Sequence, residues 1–451
     1  MKNLIKTRNY FFRIIIISLC AITASIATTA NKVPAKKKKY TVLVYGAADN
    51  NLRDYISRNI KQTAVRGSNE YVNFLFHVDT RPMGNKKITR RYYIEKNNPV
   101  QVVIHEKTPM DSGDTQTLIS ACRWAIQDYP ADNYILIFWN HGTGIIDPYG
   151  KRHFDTNALF HFNAAHNAWE LDRSIDFIDF IEAQEDPKGI CFDDSTGNYL
   201  TNQKLETALQ EICTKYLDGQ KFAIIAFDAC LMSMLEIAEI TKRYAHILIG
   251  SQEVEPGAGW RYDQAFAPFE SEAPEPRALA THIVKAFANA YKPSGNHPGF
   301  ADYTQSAIDL SQIDALENNV SQLANLLLLG LQSEQSVVFR NILSKSRNRK
   351  DCTHFSETTY IDLHHFYNNL LKHIRELRSE SLIVKQIITT IEDGKQLIYK
   401  AVIHNVSGSN LPFARGISIF FPERKIHPSY KKTNFAATNN WIKFLSGYLL
   451  N

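Results

Sequence analysis

Short runs of apolar residues that end abruptly in polar or small residues recur along this chain. Five of them lie at residues 40–45, 72–78, 134–139, 222–227 and 246–249. Because these runs are continuous rather than alternating, they predict strands buried on both faces of a sheet. Residues 115–129 and 231–244 instead repeat apolar residues at helical spacing. Strands that alternate with helices predict an α/β fold with a mostly parallel central sheet.

Two changes in this pattern set the predicted domain organisation. Residues 147–188 are polar and rich in His, Asp and Phe, and we interpret them as an insert within a first domain at residues 40–292. A Pro- and Gly-rich stretch follows residue 292 and predicts a linker or long loop. Residues 293–451 then predict a C-terminal region packed on the first domain. Its helices are expected at 312–347, from about 360 and at 381–399, and a strand at 416–421.

The first 39 residues differ from the rest. A basic start, an apolar run at 14–26 and small residues around position 27 are typical of a secretory signal, here residues 1–27. Residues 28–39 carry a run of lysines and predict a solvated basic tether. We therefore expect an exported protein without an integral membrane span. A lipid anchor on Cys20 is the alternative, disfavoured because the larger Leu19 stands where a lipoprotein signal normally has a small residue.

Removing this N-terminal segment changes the charge. The chain as a whole has a formal net charge of +5, but residues 1–39 contain nine basic residues and no acidic one, so the remaining body is about −4. Nucleic-acid binding needs a positive surface that displaces counterions from phosphates. A nucleic-acid partner is therefore not expected.

The cysteines indicate neither a zinc site nor a complete set of disulfides. Besides Cys20 the chain has five, an odd number that leaves at least one thiol free or paired with another molecule. No two of them have the CxxC spacing of a structural zinc site. No metal site is predicted from this pattern.

His141 and Cys230 are the strongest candidates for chemistry, since each follows a predicted buried strand closely. If those strands are neighbours, the imidazole and the thiol meet at one sheet edge. Cys230 would open the helix predicted at 231–244, whose positive end would lower the thiol pKa. The backbone N–H groups of Gly142 and Cys230 could form an oxyanion hole. The alternative is a buried structural thiol and a loop histidine.

The residue strings around these two positions resemble a known family. Asn140-His141-Gly142-Thr143-Gly144 and Asp228-Ala229-Cys230-Leu231-Met232 are similar to the histidine and cysteine motifs of the clostripain family of cysteine peptidases, related to caspases, gingipains and legumains. The resemblance continues in order through most of the chain after residue 40. Its further strings are Ala47 to Leu52, Gly189 to Leu200, Ser251 to Glu253, Pro256 to Trp260, Ser306 to Leu310, Tyr360 to Leu363 and Gly416 to Pro422.

This resemblance implies a caspase-like αβα sandwich and a catalytic dyad, with Cys230 as nucleophile and His141 as the acid that protonates the leaving amine. It also implies cleavage after Arg or Lys, with Asp228 lining the pocket for that side chain. The further substrate-binding residues it suggests are Ser251, Trp260 and Asp263.

One departure from the family pattern bears on specificity. Arg261 stands after Trp260, where the family often has an acidic residue. A positive charge inside the pocket would repel a basic substrate side chain. Either Asp263 takes over the acidic role, Arg261 points away, or the preference has changed.

The resemblance also implies maturation by a cut between the histidine and the cysteine. The basic candidates in the insert are Lys151, Arg152, Arg173 and Lys188. No cofactor is expected to be required. Some family members need calcium, for which the candidate ligands here are Asp186, Asp193 and Asp194, although no EF-hand loop is present.

The sequence thus predicts an exported cysteine endopeptidase acting on polypeptides. One alternative function is that of a peptide-binding or surface accessory protein with the same fold but no catalytic activity. Arg261 is the residue that favours this alternative. The other alternative, a nucleotide-dependent α/β enzyme, is disfavoured because no glycine-rich phosphate-binding motif follows the first strand.

Overall fold

A computed structural model describes most of the chain that follows the predicted signal. The described residues are 36–82, 86–98, 101–147, 160–163, 168–171, 189–292, 294–295 and 300–450, of which 160–163 and 168–171 are described by their backbone alone. The predicted signal at 1–27, Cys20 and most of the tether lie outside this set. Residues 36–451 form one compact unit.

Fifteen strands are present in the described residues. They are β1 (Lys38–Ala48), β2 (Val72–Thr80), β3 (Ile88–Tyr93), β4 (Val102–His105), β5 (Ala131–Trp139), β6 (Phe160–Asn163), β7 (Ala168–Leu171), β8 (Ile190–Asp193), β9 (Asn198–Leu200), β10 (Phe222–Asp228), β11 (Ala245–Gly250), β12 (Thr304–Asp309), β13 (Tyr360–Asp362), β14 (Val402–Ser407) and β15 (Ser418–Phe420).

Twelve α-helices accompany these strands in the described part of the chain. They are α1 (Arg53–Arg66), α2 (Thr115–Asp128), α3 (Asn202–Lys215), α4 (Leu235–Thr241), α5 (Tyr262–Ala265), α6 (Pro276–Tyr291), α7 (Ile313–Gln332), α8 (Ser336–Arg347), α9 (Leu363–Glu376), α10 (Leu382–Ala401), α11 (Asn434–Thr438) and α12 (Trp441–Leu449). None of them combines the length and apolar character that crossing a bilayer requires.

Nine strands form the central sheet, in the order β14-β12-β11-β10-β5-β1-β2-β3-β4. The five strands from β11 to β2 are parallel neighbours, and they are the five continuous apolar runs of the sequence. Antiparallel pairings add β12 and β14 on one side and β3 and β4 on the other. Seven of the nine strands therefore run in the same direction, and the predicted α/β fold with a mostly parallel sheet is confirmed.

Helices cover both faces of this sheet. Along β1, Leu43 and Tyr45 contribute to one apolar core, whereas Val42 and Val44 contribute to the other. The first core is shared with α2 to α4 and α7 to α12, and the second with α1, α5 and α6. The central strands are apolar throughout because both of their faces are covered.

The C-terminal region is built into the same sheet. It supplies β12 and β14, and β13 pairs with β15 beside it. Two of its elements differ from the sequence prediction. The helix expected over 312–347 is two helices separated at Ser333, whose hydroxyl bonds the Gly330 carbonyl. The segment at 360 begins as a strand, and α9 starts only at Leu363, capped by the Asp362 carboxylate.

A buried acid joins α4 to the C-terminal region. Glu236 accepts hydrogen bonds from the Phe420 N–H at 3.0 Å and from the Tyr430 hydroxyl at 3.2 Å. Burial raises the pKa of Glu236 from 4.5 to about 7. An acid whose pKa is higher in the folded than in the unfolded chain binds more protons when folded. The folded state therefore loses stability as the pH rises from about 4.5 to 7.

We expect Glu236→Gln to remove this part of the pH dependence, because the amide oxygen still accepts both hydrogen bonds but never ionises. Urea unfolding at pH 5 and pH 7.5 measures it. The wild type should lose about 2 kcal/mol more than the variant between the two pH values. The exposed-acid control Glu334→Gln should behave as wild type. An equal pH dependence in Glu236→Gln and wild type would contradict the expectation.

Candidate active site

The pairing of β5 with β10 brings His141 and Cys230 together. These parallel neighbours are in a register that sets Trp139 beside Asp228. His141 and Cys230 each follow that pair by two residues, so both lie beyond the carboxyl ends of adjacent strands. The two side chains line the same cavity. Ligands of open α/β sheets bind at this edge.

The chain directly after Cys230 is not helical, and the predicted helix over 231–244 is wrong in its first four and its last three residues. Leu231 has a φ of 65°, and α4 begins at Leu235. The reason is long-range backbone pairing. The N–H of Leu231 donates to the Glu253 carbonyl at 3.2 Å and that of Ser233 to the Ser251 carbonyl at 2.8 Å. The positive end of α4 therefore does not begin at the thiol.

The Cys230 thiol is held in its protonated form. Its side chain is buried, and Sγ donates to the Glu255 carbonyl oxygen at 3.9 Å. Burial is the largest cause that raises the pKa of Cys230, from 9.0 to about 12. This shift is opposite to the one expected from a helix dipole, because burial dominates and the helix starts too far away.

Asn51 orients the His141 ring. Nε2 of His141 lies 2.7 Å from Oδ1 of Asn51, and an amide oxygen can only accept. Nε2 is then the donor, and the neutral ring takes up a further proton through Nδ1. Sequence reasoning noted the string containing Asn51 but gave this residue no role. The feature that could have identified Asn51 is its position just after β1, because Gly46 of β1 pairs with Trp139 in β5.

Gly142 lets the histidine loop lie directly against the cysteine loop. A Cβ at this position would stand 2.4 Å from the Cys230 carbonyl oxygen, which no side chain tolerates. The Gly142 N–H faces the Cys230 sulfur. The two backbone segments named as oxyanion donors are therefore adjacent.

Asp228 lies on the floor of the cavity. Its side chain is buried, and it accepts hydrogen bonds from the Trp260 N–H at 3.2 Å and the Tyr262 hydroxyl at 2.9 Å. Burial raises the pKa of Asp228 from 3.8 to about 6. Gly259 leaves room for it, because a Cβ there would stand 2.6 Å from Oδ1.

The other predicted substrate-binding side chains do not line this cavity. Trp260 is buried behind it, and only its backbone contacts Asp228. Ser251 is fully buried, and its hydroxyl donates to the Glu253 carbonyl at 2.7 Å. Asp263 forms a two-point ion pair with Arg261 at 2.8 and 2.9 Å. Arg261 therefore points away from the cavity with its charge paired, and Asp263 does not replace the missing acid.

Glu255 is a lining residue that sequence reasoning missed. Its carboxyl lies on the cavity floor beside Asp228 and is equally buried. It precedes the turn Pro256–Gly259, closed by a 2.7 Å hydrogen bond between the Gly259 N–H and the Pro256 carbonyl. The sequence shows an acid before a Pro-Gly turn but not the direction in which its side chain points.

Of the aspartates suggested as calcium ligands, the structure describes Asp193 and Asp194. Asp193 is paired with the Lys87 ammonium group and accepts the Ser112 N–H at 3.0 Å, so an internal cation already neutralises it. Asp186 lies outside the described residues. No group of three or more His, Cys, Asp or Glu side chains in the described ranges is arranged to hold a metal ion.

The remaining predicted residues are placed as follows. The processing candidates Lys151, Arg152, Arg173 and Lys188 lie outside the described residues. The five cysteines after the signal, including Cys230, are all free and buried.

The cavity itself is small. Its volume is about 30 Å³.

Comparisons with known proteins point to one family. The model of the clostripain family, Peptidase_C11, matches residues 44–180 and 177–446. Clostripain from Hathewaya histolytica is 27% identical over 257 residues, which cover 51% of this chain and 42% of that protein. The chain thus spans less than half the length of this curated relative.

Two solved structures share the fold. A secreted C11 cysteine protease from Bacteroides thetaiotaomicron, bound to an irreversible peptide inhibitor, has a TM-score of 0.59 at 18% identity and covers 90% of this chain and 98% of its own. An inactive zymogen C11 protease from Parabacteroides distasonis has a TM-score of 0.56 at 18% identity, with 91% and 98% covered. Since the family model spans most of the chain, including both the histidine and the cysteine loops, this protein belongs to the clostripain family.

Proposed function

We propose that this chain is a cysteine endopeptidase in which Cys230 and His141 form the catalytic dyad. The observation that carries the proposal is the β5–β10 register, which brings both side chains to one cavity at the carboxyl edge of the sheet. Membership of the clostripain family supports it. The substrates are polypeptides.

The geometry supports an acyl-transfer mechanism. Cys230 Sγ attacks the peptide carbonyl carbon while its proton passes to His141, and the backbone N–H groups of Gly142 and Cys230 stabilise the oxyanion. The C–N bond then breaks, and His141 gives the proton to the leaving amine. Water next hydrolyses the thioester, transferring a proton through His141 back to the thiol. Because the resting thiol is protonated, nucleophile activation must accompany substrate binding.

We propose cleavage after Arg or Lys. Asp228 is a buried acid on the cavity floor, and Arg261, which argued against a basic preference, is paired with Asp263 outside the cavity. Arg261 was also the residue that favoured a catalytically inactive peptide-binding protein, and its pairing with Asp263 outside the cavity no longer supports that alternative.

We further propose export and maturation by self-cleavage. The signal-like residues 1–27 support export, with Cys20 as an alternative lipid anchor. Self-cleavage in the insert is supported by its position between His141 and Cys230 and by its four basic candidates.

Wild type and Cys230→Ala, incubated with peptides carrying Arg, Lys or a neutral residue before the scissile bond, test the activity. We expect cleavage after Arg and Lys, with kcat/KM at least about a thousand-fold lower in the variant. Only the wild type should yield two fragments on a denaturing gel. No cleavage of any peptide would refute the peptidase function. Cleavage only after neutral residues would refute the role of Asp228. A protein that runs as a single band and is fully active would refute self-cleavage.

Asn51→Ala should lower kcat by about 10- to 100-fold, because the imidazole loses the acceptor that fixes its orientation, while KM stays near wild type. Asn51→Asp keeps an oxygen acceptor and should recover most of the activity. Asn98→Ala, an exposed asparagine, serves as control. A wild-type kcat in Asn51→Ala would show that this hydrogen bond does not position His141.

The resting thiol can be followed in a variant with Lys151, Arg152, Arg173 and Lys188 all replaced by Ala, which we expect to stay a single chain. Its Cys230 should react with iodoacetamide at a rate that rises about tenfold per pH unit up to pH 9, because the thiol pKa is about 12. Mass spectrometry of the labelled peptide gives the rate. A plateau below pH 8 would contradict the protonated resting state.

A further inference from the structure

The floor of the active-site cavity carries two acids of different environment. Asp228 ends β10, and Glu255 lies five residues beyond the end of β11. Their side chains are only 5% and 6% exposed, and both line the cavity that contains Cys230. Two carboxyl groups this deeply buried and this close cannot both ionise without a cation between them.

The two acids differ in how many of their oxygens accept hydrogen bonds. Both oxygens of Asp228 are occupied, by the Trp260 N–H and the Tyr262 hydroxyl. Oε1 of Glu255 accepts from Gln305 Nε2 at 3.1 Å. Oε2 of Glu255 is buried and makes no hydrogen bond within the described residues, although the indole N–H of Trp260 faces this carboxyl group. The Glu255 carboxyl interacts with the Asp228 carboxyl, and the two can form a hydrogen bond only when one of them carries a proton.

Among the described residues, no lysine or arginine lines the cavity beside Glu255. The titratable groups facing Glu255 are Asp228, Cys230, Tyr262 and Tyr291. Burial raises the pKa of both tyrosines well above 10, so they are neutral. His141 lines the cavity but bonds to Asn51.

Glu255 therefore keeps a proton at neutral pH. Burial raises its pKa well above 4.5, and the neighbouring Asp228 carboxylate adds to the shift. The pair holds one negative charge and one proton, in the place that a substrate cation would take.

We propose that Glu255 is a second specificity-determining acid, and that a basic substrate side chain displaces the proton shared by Asp228 and Glu255. This rests on the proposed peptidase function and on its preference for Arg or Lys. The proton leaves to the solvent, and the incoming cation then faces two carboxylates. Binding of a basic side chain releases up to one proton and becomes tighter as the pH rises. A neutral side chain gains nothing from this exchange.

The test uses agmatine and n-butylamine as probes of the cavity, with n-butanol as the neutral control. Calorimetry on Cys230→Ala at pH 7, in two buffers of different ionisation enthalpy, counts the protons released per bound cation. We expect close to one proton with either amine and no detectable binding of butanol. The double variant Cys230→Ala/Glu255→Gln should release almost none and bind agmatine roughly tenfold or more weakly.

Two further variants control for nonspecific effects of the substitution and for loss of folding. Glu236→Gln alters an equally buried acid outside the cavity, and in the Cys230→Ala background it should leave affinity and proton count unchanged. Glu255→Asp keeps an acid and should retain part of the proton release, which separates loss of charge from loss of folding. Thermal unfolding of each variant confirms that it is folded.

The outcomes separate this proposal from the peptidase function. If wild type cleaves no peptide but Cys230→Ala binds agmatine with proton release, the role of the acid pair is supported and the peptidase function is refuted. If wild type cleaves after Arg or Lys, and Glu255→Gln does so with the same kcat/KM and pH profile, the peptidase stands and the role of Glu255 is overturned. Absence of agmatine binding, or binding without proton release, also overturns it.

Discussion

The parallel register between β5 and β10 is the constraint on which the site depends. It places Trp139 beside Asp228, and the loops that follow carry His141 and Cys230. A slip of one residue would turn every side chain of a strand to the opposite face, and both faces here are covered by helices. The packing of the core therefore also fixes the distance between nucleophile and acid.

The central strands could be predicted because burial on both faces leaves a continuous apolar run. The outer strands β4 and β14 could not, since their residues are partly exposed and mixed in polarity. The helix predicted after Cys230 failed for a different reason. Its apolar spacing is helical, but the N–H groups of Leu231 and Ser233 bond to carbonyls beyond β11, and a single sequence does not show such distant partners.

In the site, the sequence identified residues at or just after the ends of buried strands, whereas the roles of loop residues depend on side-chain directions that a sequence does not show. His141, Cys230 and Asp228 belong to the first kind. Asn51 contributes only through its hydrogen bond to the His141 ring. Glu255 depends on the direction of a turn, and Arg261 depends on whether its guanidinium group meets the cavity or the carboxylate two residues later.

The strand order also decides what a cut in the insert would produce. Strands β1 to β5 come before it and β10 to β12 after it, yet β5 and β10 are adjacent in the middle of the sheet. The new boundary would run through the centre of the molecule, with one half of the dyad on each polypeptide. The two chains would behave as an obligate heterodimer, each exposing a bare parallel strand edge if parted. Once unfolded, they could regain the site only through a bimolecular encounter, so recovery would depend on protein concentration.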